Sequence, residues 1–233
     1  MKFKNRIYDA FKYTLKDWKA IILLGAVLCI ASTVGEFQTD SLTIFFIILI
    51  ISVTTSIFEE GYRYRIIENT INGNNSPPLI ENPYKLMKEG FVEVITLCIY
   101  ILIMNGINLL IDKLNSMEQP AIALIIFAIG YLFYSFLIAS GINKVLHGGK
   151  FLSGLNFIEI LKLYYKIGLK ESIFLIVAGG ISINILYRAI FNLNIFAANN
   201  NIIDYSVSFI INPILILFIT RLIALCGRET IRD

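Results

Sequence analysis

Six long segments without a charged residue alternate with polar stretches along this chain. They cover residues 20–35, 41–58, 94–111, 119–143, 172–187 and 205–220. A helix needs about 20 apolar residues to cross a hydrocarbon core that is about 30 Å thick. The shorter segments gain length from flanking aromatic and basic side chains, whose stems and rings suit the interface. The pattern predicts an all-α membrane protein with six transmembrane helices.

Amphipathic stretches precede the first, third and fifth segments. Their apolar positions recur at helical spacing beside a basic face: Phe3, Ile7, Phe11, Leu15 and Trp18 beside Lys12, Lys16 and Lys19; Tyr84, Met87, Phe91 and Val94 opposite Lys85, Lys88 and Glu89; Ile158, Leu161 and Tyr165 beside Lys162, Lys166 and Lys170. Such stretches predict amphipathic helices along the anionic headgroups of the cytoplasmic face. They either only anchor the bundle or form a docking platform for a lipid or protein partner.

The basic residues show which side each loop occupies. Of the 20 Lys and Arg residues, all but Lys113 and Arg188 fall in alternate gaps between the uncharged segments. Positive loops stay in the cytoplasm, so this asymmetry predicts a multi-pass protein of the cell membrane with both termini cytoplasmic. The net charge of +3 hides the asymmetry and does not indicate nucleic-acid binding.

The charges that flank the segments suggest an internal repeat. An acid precedes each odd-numbered segment and a base follows each even-numbered one at near-constant spacing: Asp17, Glu93 and Glu171, then Arg65, Lys144 and Arg221. We infer three pseudo-repeats, at approximately residues 1–71, 83–150 and 155–228. Two spans per unit return the chain to its starting side, so the units are three parallel helical hairpins. Close helix packing is expected at Gly25, Gly106, Gly130 and the pair Gly179 and Gly180.

The stretch from Gly61 to Gly73, followed by Pro78, Asn82 and Gly90, carries a resemblance. It resembles a family of uncharacterised polytopic membrane proteins, mostly archaeal, that share a domain of unknown function. Leu79 departs from that family's pattern, which usually has an acidic or aromatic residue after the proline. The resemblance implies membrane class and topology, and no activity.

No residue pattern in the sequence indicates a catalytic site. The single histidine, His147, has no Cys or His at zinc-ligand spacing, and we predict that its side chain is solvated. Glu59 and Glu60 are adjacent and point about 100° apart on a helix, which indicates a solvated span end and not a catalytic pair. We therefore expect no catalytic, cofactor-binding or metal-binding residues, and no enzyme activity.

Two sets of residues are candidate sites. The repeated charges Asp17, Glu93, Glu171, Arg65, Lys144 and Arg221 form a candidate ring at the inner face, as a gate or a clasp, unless each snorkels independently. Asn105, Asn108 and Asn184 form a candidate polar path, unless they only bond neighbouring helices. The first interpretation of function is a non-enzymatic scaffold, or a component that binds a lipid or an unidentified protein partner. The alternative is a small-molecule or lipid permease with a path between the three hairpins.

Overall fold

The computed structural model describes residues 3–36, 41–174, 176–177 and 207–229. The helices within these ranges are α1 (Phe3–Thr14), α2 (Trp18–Glu36), α3 (Leu42–Ile71), α4 (Pro83–Ser116), α5 (Pro120–Leu146), a 3₁₀-helix (Phe151–Leu155), α6 (Phe157–Ile167), a π-helix (Val207–Ile211) and α7 (Asn212–Glu229). No strand occurs in this part of the chain. The predicted all-α class is confirmed.

Four helices in the described ranges are long and apolar enough to cross a membrane: Leu42–Ile71, Pro83–Ser116, Pro120–Leu146 and Phe209–Arg228. They correspond to the second, third, fourth and sixth predicted spans. The first predicted span falls in α2, where a shorter apolar helix covers Trp18–Ala31. Of the fifth, only residues 172–174 and 176–177 are described. Four apolar helices of this length indicate a membrane protein.

The helices extend well past the uncharged segments. The α3 helix continues beyond Phe58 to Ile71. The α4 helix begins at Pro83, where the Asn82 side chain accepts a hydrogen bond from the Lys85 amide. Charged residues that the sequence placed at span ends therefore lie on continuous helices. Glu59 is one of them, and its predicted solvation is wrong because only 4% of the residue is exposed.

The amphipathic stretches differ in how they join their spans. The first and third are separate helices, α1 and α6. Asp17 begins α2 by accepting hydrogen bonds from the Lys19 and Ala20 amides, and Gly168 ends α6 with a φ of 88°. The second is not a separate helix, because Gly90 stays helical and the stretch runs directly into α4.

Packing centres on α3 and α7. The α3 helix contacts α2, α4, α5 and α7, and α7 contacts α1, α2, α3, α5 and α6. The closest crossing joins α3 and α4, where a Cβ on Gly61 would lie 2.3 Å from the Leu86 carbonyl oxygen and one on Gly90 would lie 1.8 Å from that of Ile57. Only glycine allows this approach.

The glycines chosen from the sequence have mixed surroundings. A Cβ on Gly25 would lie 2.1 Å from the Phe209 carbonyl oxygen, and one on Gly130 would lie 3.0 Å from the Ile107 side chain. At Gly106 no atom of the described residues lies within 4 Å of that position, so the predicted close packing against these helices is not found there. Gly179 and Gly180 lie outside the described residues.

Candidate functional site

Four ion pairs join residues that lie on different helical segments. They are Arg221–Asp9 at 2.9 Å, Lys144–Glu93 at 2.6 Å, Arg65–Glu89 at 2.7 Å, and Arg6–Glu171. We call these eight residues the ion-pair layer. All four basic residues are buried, so the cation of each pair is shielded from solvent. Because a buried charge without a partner is costly, the layer holds the helices in one arrangement.

The ion-pair layer contains five of the six predicted ring residues, but most of them pair with residues outside the predicted six. Among the predicted six, the structure brings only Glu93 and Lys144 together as a pair. The other three predicted ring residues in the layer, Glu171, Arg65 and Arg221, bind residues that the repeat pattern did not select: Arg6, Glu89 and Asp9, respectively. Asp17 instead caps α2. The arrangement is a set of cross-links and not three equivalent pairs.

Arg221 on α7 makes the widest set of contacts. Its guanidinium donates to Asp9 of α1, to the Thr70 hydroxyl of α3 at 2.9 Å, and to the Asn74 carbonyl and the Asn75 side chain in the loop after α3. It also lies over the Tyr13 ring, 4.3 Å from the centroid. Burial raises the pKa of the Tyr13 phenol, the nearby guanidinium opposing the shift. Arg221 therefore connects two helices and a loop to α7.

Lys144 near the end of α5 is fully buried. Its amine donates to Glu93 and to the Thr96 hydroxyl at 3.1 Å. The stem packs against Gly154 of the 3₁₀-helix, where an added Cβ would lie 2.9 Å from the lysine Cδ. The neighbouring Asn143 donates its amide to the Ser153 carbonyl at 2.7 Å. The 3₁₀-helix is thus shaped around this lysine.

A cavity of about 70 Å³ lies among α3, α4, α5 and α7. Its lining combines charged groups, hydroxyls and aliphatic side chains: Glu60, Arg63, Tyr64, Ile67, Glu93, Thr96, Leu97, Leu137, Ile138, Ser140, Gly141, Thr220 and Ile223. Arg63 donates to Glu60 at 2.8 Å within it. No sequence pattern indicates this cavity, because its residues come from four helices and the side that each helix presents depends on helix rotation.

The surface of α1 carries an apolar stripe that the bundle does not cover. Ile7, Phe11 and Leu15 are exposed, together with Trp18 at the start of α2, which is 63% exposed. The bundle instead receives Arg6, Ala10, Tyr13 and Thr14. A stripe of this kind is expected where a helix lies along lipid.

The other two amphipathic stretches repeat this feature. On α6, Ile160 and Leu163 are buried while Ile158, Leu161 and Tyr165 are exposed, Tyr165 by 90%. At the start of α4, Tyr84 and Phe91 are exposed. Lysines are exposed beside the rings in all three places: Lys12 and Lys19, Lys85 and Lys88, and Lys162 and Lys166. We call these exposed rings and lysines the interfacial stripes.

A cleft of about 410 Å³ opens between α5 and α6. Lys162 and Lys166 line it, one helical turn apart, with His147, Glu159 and Asn143. The His147 Nε2 lies 3.4 Å from the Glu159 carboxylate, and its Nδ1 lies 2.8 Å from the Asn143 carbonyl oxygen. His147 is exposed, as the sequence indicated. The cleft presents two ammonium groups beside one carboxylate.

The residues of the predicted polar path do not line the cavity among α3, α4, α5 and α7. Asn105 and Asn108 lie on α4 and are exposed. Asn184 lies outside the described residues. A path through all three is therefore not described by the structure.

The comparisons with known proteins identify a family and no activity. No curated protein and no solved structure matches the chain. A family profile matches residues 44–193, which includes α3 to α6 and the cavity-lining residues of α3, α4 and α5. The chain belongs to the family described as "Protein of unknown function (DUF4013)".

Proposed function

We propose that this protein is a non-enzymatic, multi-pass protein of the cell membrane that serves as a scaffold by binding anionic lipid headgroups of the cytoplasmic leaflet. The observation that carries the proposal is the exposure of the interfacial stripes, in which rings and aliphatic side chains lie beside lysines on three separate helices. Aromatic rings favour the headgroup level, and lysines there attract anionic lipids. The lipid bilayer is the first partner, and a protein partner remains unidentified.

The topology completes the proposal. We place the six spans as three hairpins of like orientation, with both termini and the ion-pair layer on the cytoplasmic side. The distribution of Lys and Arg supports this orientation. The three interfacial stripes agree with it, because each precedes an odd-numbered predicted span and all three therefore lie on one side of the membrane. The ion-pair layer then fixes the relative positions of the three stripes.

The cleft between α5 and α6 supplies the most specific headgroup contact. Lys162 and Lys166 both face it, and each lysine near an anionic surface contributes about 1 kcal/mol. We expect the double variant Lys162→Gln/Lys166→Gln to lose about 2 kcal/mol of its preference for anionic lipid. Lys113→Gln is the matched control, because Lys113 is exposed at the opposite end of α4.

The experiment uses the full chain in nanodiscs of mixed phosphatidylglycerol and phosphatidylcholine. The lipids that stay bound after extraction are counted by native mass spectrometry. The proposal expects enrichment of phosphatidylglycerol in the wild type and in Lys113→Gln, and a clear reduction in the double variant. Equal retention of the two lipids by the wild type, or an unchanged preference in the double variant, contradicts it.

A second candidate is a small-molecule or lipid permease with a path between the three hairpins. The cavity among α3, α4, α5 and α7 favours it, because ionisable groups such as the Glu60 and Glu93 of its lining commonly mark substrate paths in membrane bundles. Proteoliposomes test the lipid form by exchange of a headgroup-labelled phospholipid between leaflets. Exchange no faster than in protein-free vesicles removes lipid permeation, and an efflux assay with entrapped small solutes does the same for small molecules.

A further inference from the structure

One side of α4 faces away from the helices that pack against it. Among the described elements, α4 packs against α3, α5 and the 3₁₀-helix. Ile107 marks the side toward α5, because its side chain lies 3.0 Å from the position of a Cβ on Gly130. Asn105 comes two positions before Ile107 and therefore points about 160° away from that contact on an α-helix. The side of α4 that carries Asn105 is open.

Four residues on this open side recur at alternating spacings of four and three residues. We call them the α4 seam: Cys98, Leu102, Asn105 and Leu109. All four are exposed, Leu102 by 70% and Leu109 by 71%. Spacings of this kind keep a row of side chains on one face over several turns, which is the geometry by which two parallel helices pack.

Asn105 is the polar member of the seam. It lies between Glu93 and Asp112 in the sequence, about 18 Å from the first and about 10 Å from the second along the helix axis, so it is inside the predicted span. Its side-chain amide makes no hydrogen bond to the described residues. An amide without a partner is costly in hydrocarbon. Because the group both donates and accepts, an identical residue can satisfy it.

Two charged residues flank the seam at the outer end of α4. Asp112 and Lys113 are exposed, and neither forms an ion pair within the described part of the chain. Helix geometry puts Asp112 about 60° to one side of Leu109 and Lys113 about 40° to the other. In two parallel helices related by a two-fold axis, each flank faces the opposite flank of the mate. Asp112 of each copy would then face Lys113 of the other.

The chain that leads into the fifth predicted span lies against other helices. Glu171 binds Arg6 of α1 and accepts a hydrogen bond from Cys226 of α7 at 3.7 Å. Neither α1 nor α7 is among the elements that pack against α4. The residues that precede the fifth span therefore do not approach the seam.

We propose that the α4 seam is a self-association surface, on which a second copy of this chain packs its own α4 about a two-fold axis along the membrane normal. Copies inserted with one orientation have parallel α4 helices, so the same face of each can meet. The Asn105 amides bond each other, as polar side chains do between membrane helices, and one such residue on a contact face fixes the register. A lipid acyl chain offers the amide no hydrogen bond. The proposal requires that α4 crosses the membrane, and it does not depend on headgroup binding.

Cys98 reports the contact directly, because two seam cysteines come within disulfide reach only when the α4 helices pack face to face. The full chain, with Cys29 and Cys226 replaced by alanine, is oxidised in native membranes with copper phenanthroline. Products are separated on a non-reducing gel. We expect a disulfide-linked dimer that a reductant converts to the monomer. Absence of the dimer means that lipid or another segment covers the face, and it overturns the proposal.

The matched control moves the cysteine to another exposed face at the same distance from a span-flanking acid. It carries Cys98→Ala and Ile22→Cys, because Ile22 is 44% exposed on α2 and follows Asp17 by as many residues as Cys98 follows Glu93. We expect little or no dimer from this chain. Equally fast cross-linking in the control shows random collision and overturns the proposal.

Variants on α4 test the contacts across the seam. Asn105→Leu should slow the initial rate of Cys98 cross-linking at least about threefold, because the two symmetrical amide bonds are lost. Asn108→Leu is its control, since Asn108 is exposed but lies about 100° from Leu109, off the seam. Asp112→Lys should also slow the reaction, and the exchange Asp112→Lys/Lys113→Asp should restore it. Equal effects of the two asparagine variants, or no recovery in the exchange, overturn the seam.

Discussion

Removing one partner of the Lys144–Glu93 pair should destabilise the bundle strongly. Glu93→Gln leaves a fully buried ammonium whose other bond is to the Thr96 hydroxyl. The Nζ and Oε2 atoms lie 2.6 Å apart, a separation at which unit charges attract by about 6 kcal/mol at an effective dielectric constant of about 20. Desolvation offsets much of that attraction when the pair is intact. Loss of one partner from such a pair costs about 3 to 5 kcal/mol.

The assay is reversible unfolding by SDS in mixed micelles. The cycle consists of Glu93→Leu, Lys144→Met and the double variant that combines them, and Glu93→Gln is measured beside it. We expect each single variant to lose about 3 to 5 kcal/mol and the double variant to lose less than either, because apolar replacement leaves no isolated charge.

Lys85→Met is the control for this cycle. Lys85 forms a helical i,i+4 pair with Glu89 at 3.5 Å, but 63% of its side chain is exposed. Such exposed pairs contribute about 0.3 to 0.5 kcal/mol. Losses of less than about 1 kcal/mol in both buried single variants, or additive losses in the double variant, would refute the reasoning.

Three further predictions concern packing, the ion-pair layer and pH. Gly90→Ala should cost at least about 1 to 3 kcal/mol in the same SDS assay because its Cβ meets backbone, whereas Gly106→Ala, with open space around it, should cost nothing or stabilise the helix. Arg221→Met should lower the free energy of unfolding by about 3 to 5 kcal/mol. Limited proteolysis should then cleave the loop after α3 faster, because Asn74 and Asn75 lose their hydrogen bonds to the guanidinium, and unchanged cleavage would contradict this. Burial raises the pKa of Tyr164 to about 12, whereas the unfolded value is about 10, so the neutral phenol stabilises the fold fully below pH 10 and this contribution is lost as pH rises through 12. The variant Tyr164→Phe should therefore show a flatter dependence of stability on pH across that interval. An equally steep dependence would refute the assignment.

The spans could be predicted because each depends on its own composition. A long uncharged segment reveals a membrane helix without knowledge of its neighbours, and four helices match such segments. The residues at which the helices begin and end were harder to predict. Charged residues such as Glu59 and Glu93 interrupt the apolar pattern but not the helix, since Glu59 is buried and Glu93 pairs with Lys144.

The pairing of charges could not be predicted, because it depends on how each helix is rotated. Glu89 and Glu93 lie one turn apart on α4, and the first binds Arg65 while the second binds Lys144. The repeat pattern selected only Glu93. Close packing depends on rotation in the same way. Gly61 and Gly90 meet because the facing sides of α3 and α4 coincide there, whereas Gly106 on the same helix faces open space.

The most direct test of the account is the side of the membrane on which each loop lies. Ser76→Cys in the loop after α3 and Glu118→Cys in the turn between α4 and α5 are made after Cys29, Cys98 and Cys226 are replaced by alanine. Both positions are exposed, so a membrane-impermeant maleimide reaches each from one side only. We expect Glu118→Cys to react in intact cells and Ser76→Cys only in inverted vesicles. Labelling of both positions from the same side, or the reverse assignment, would contradict the proposed topology and the headgroup contacts that follow from it.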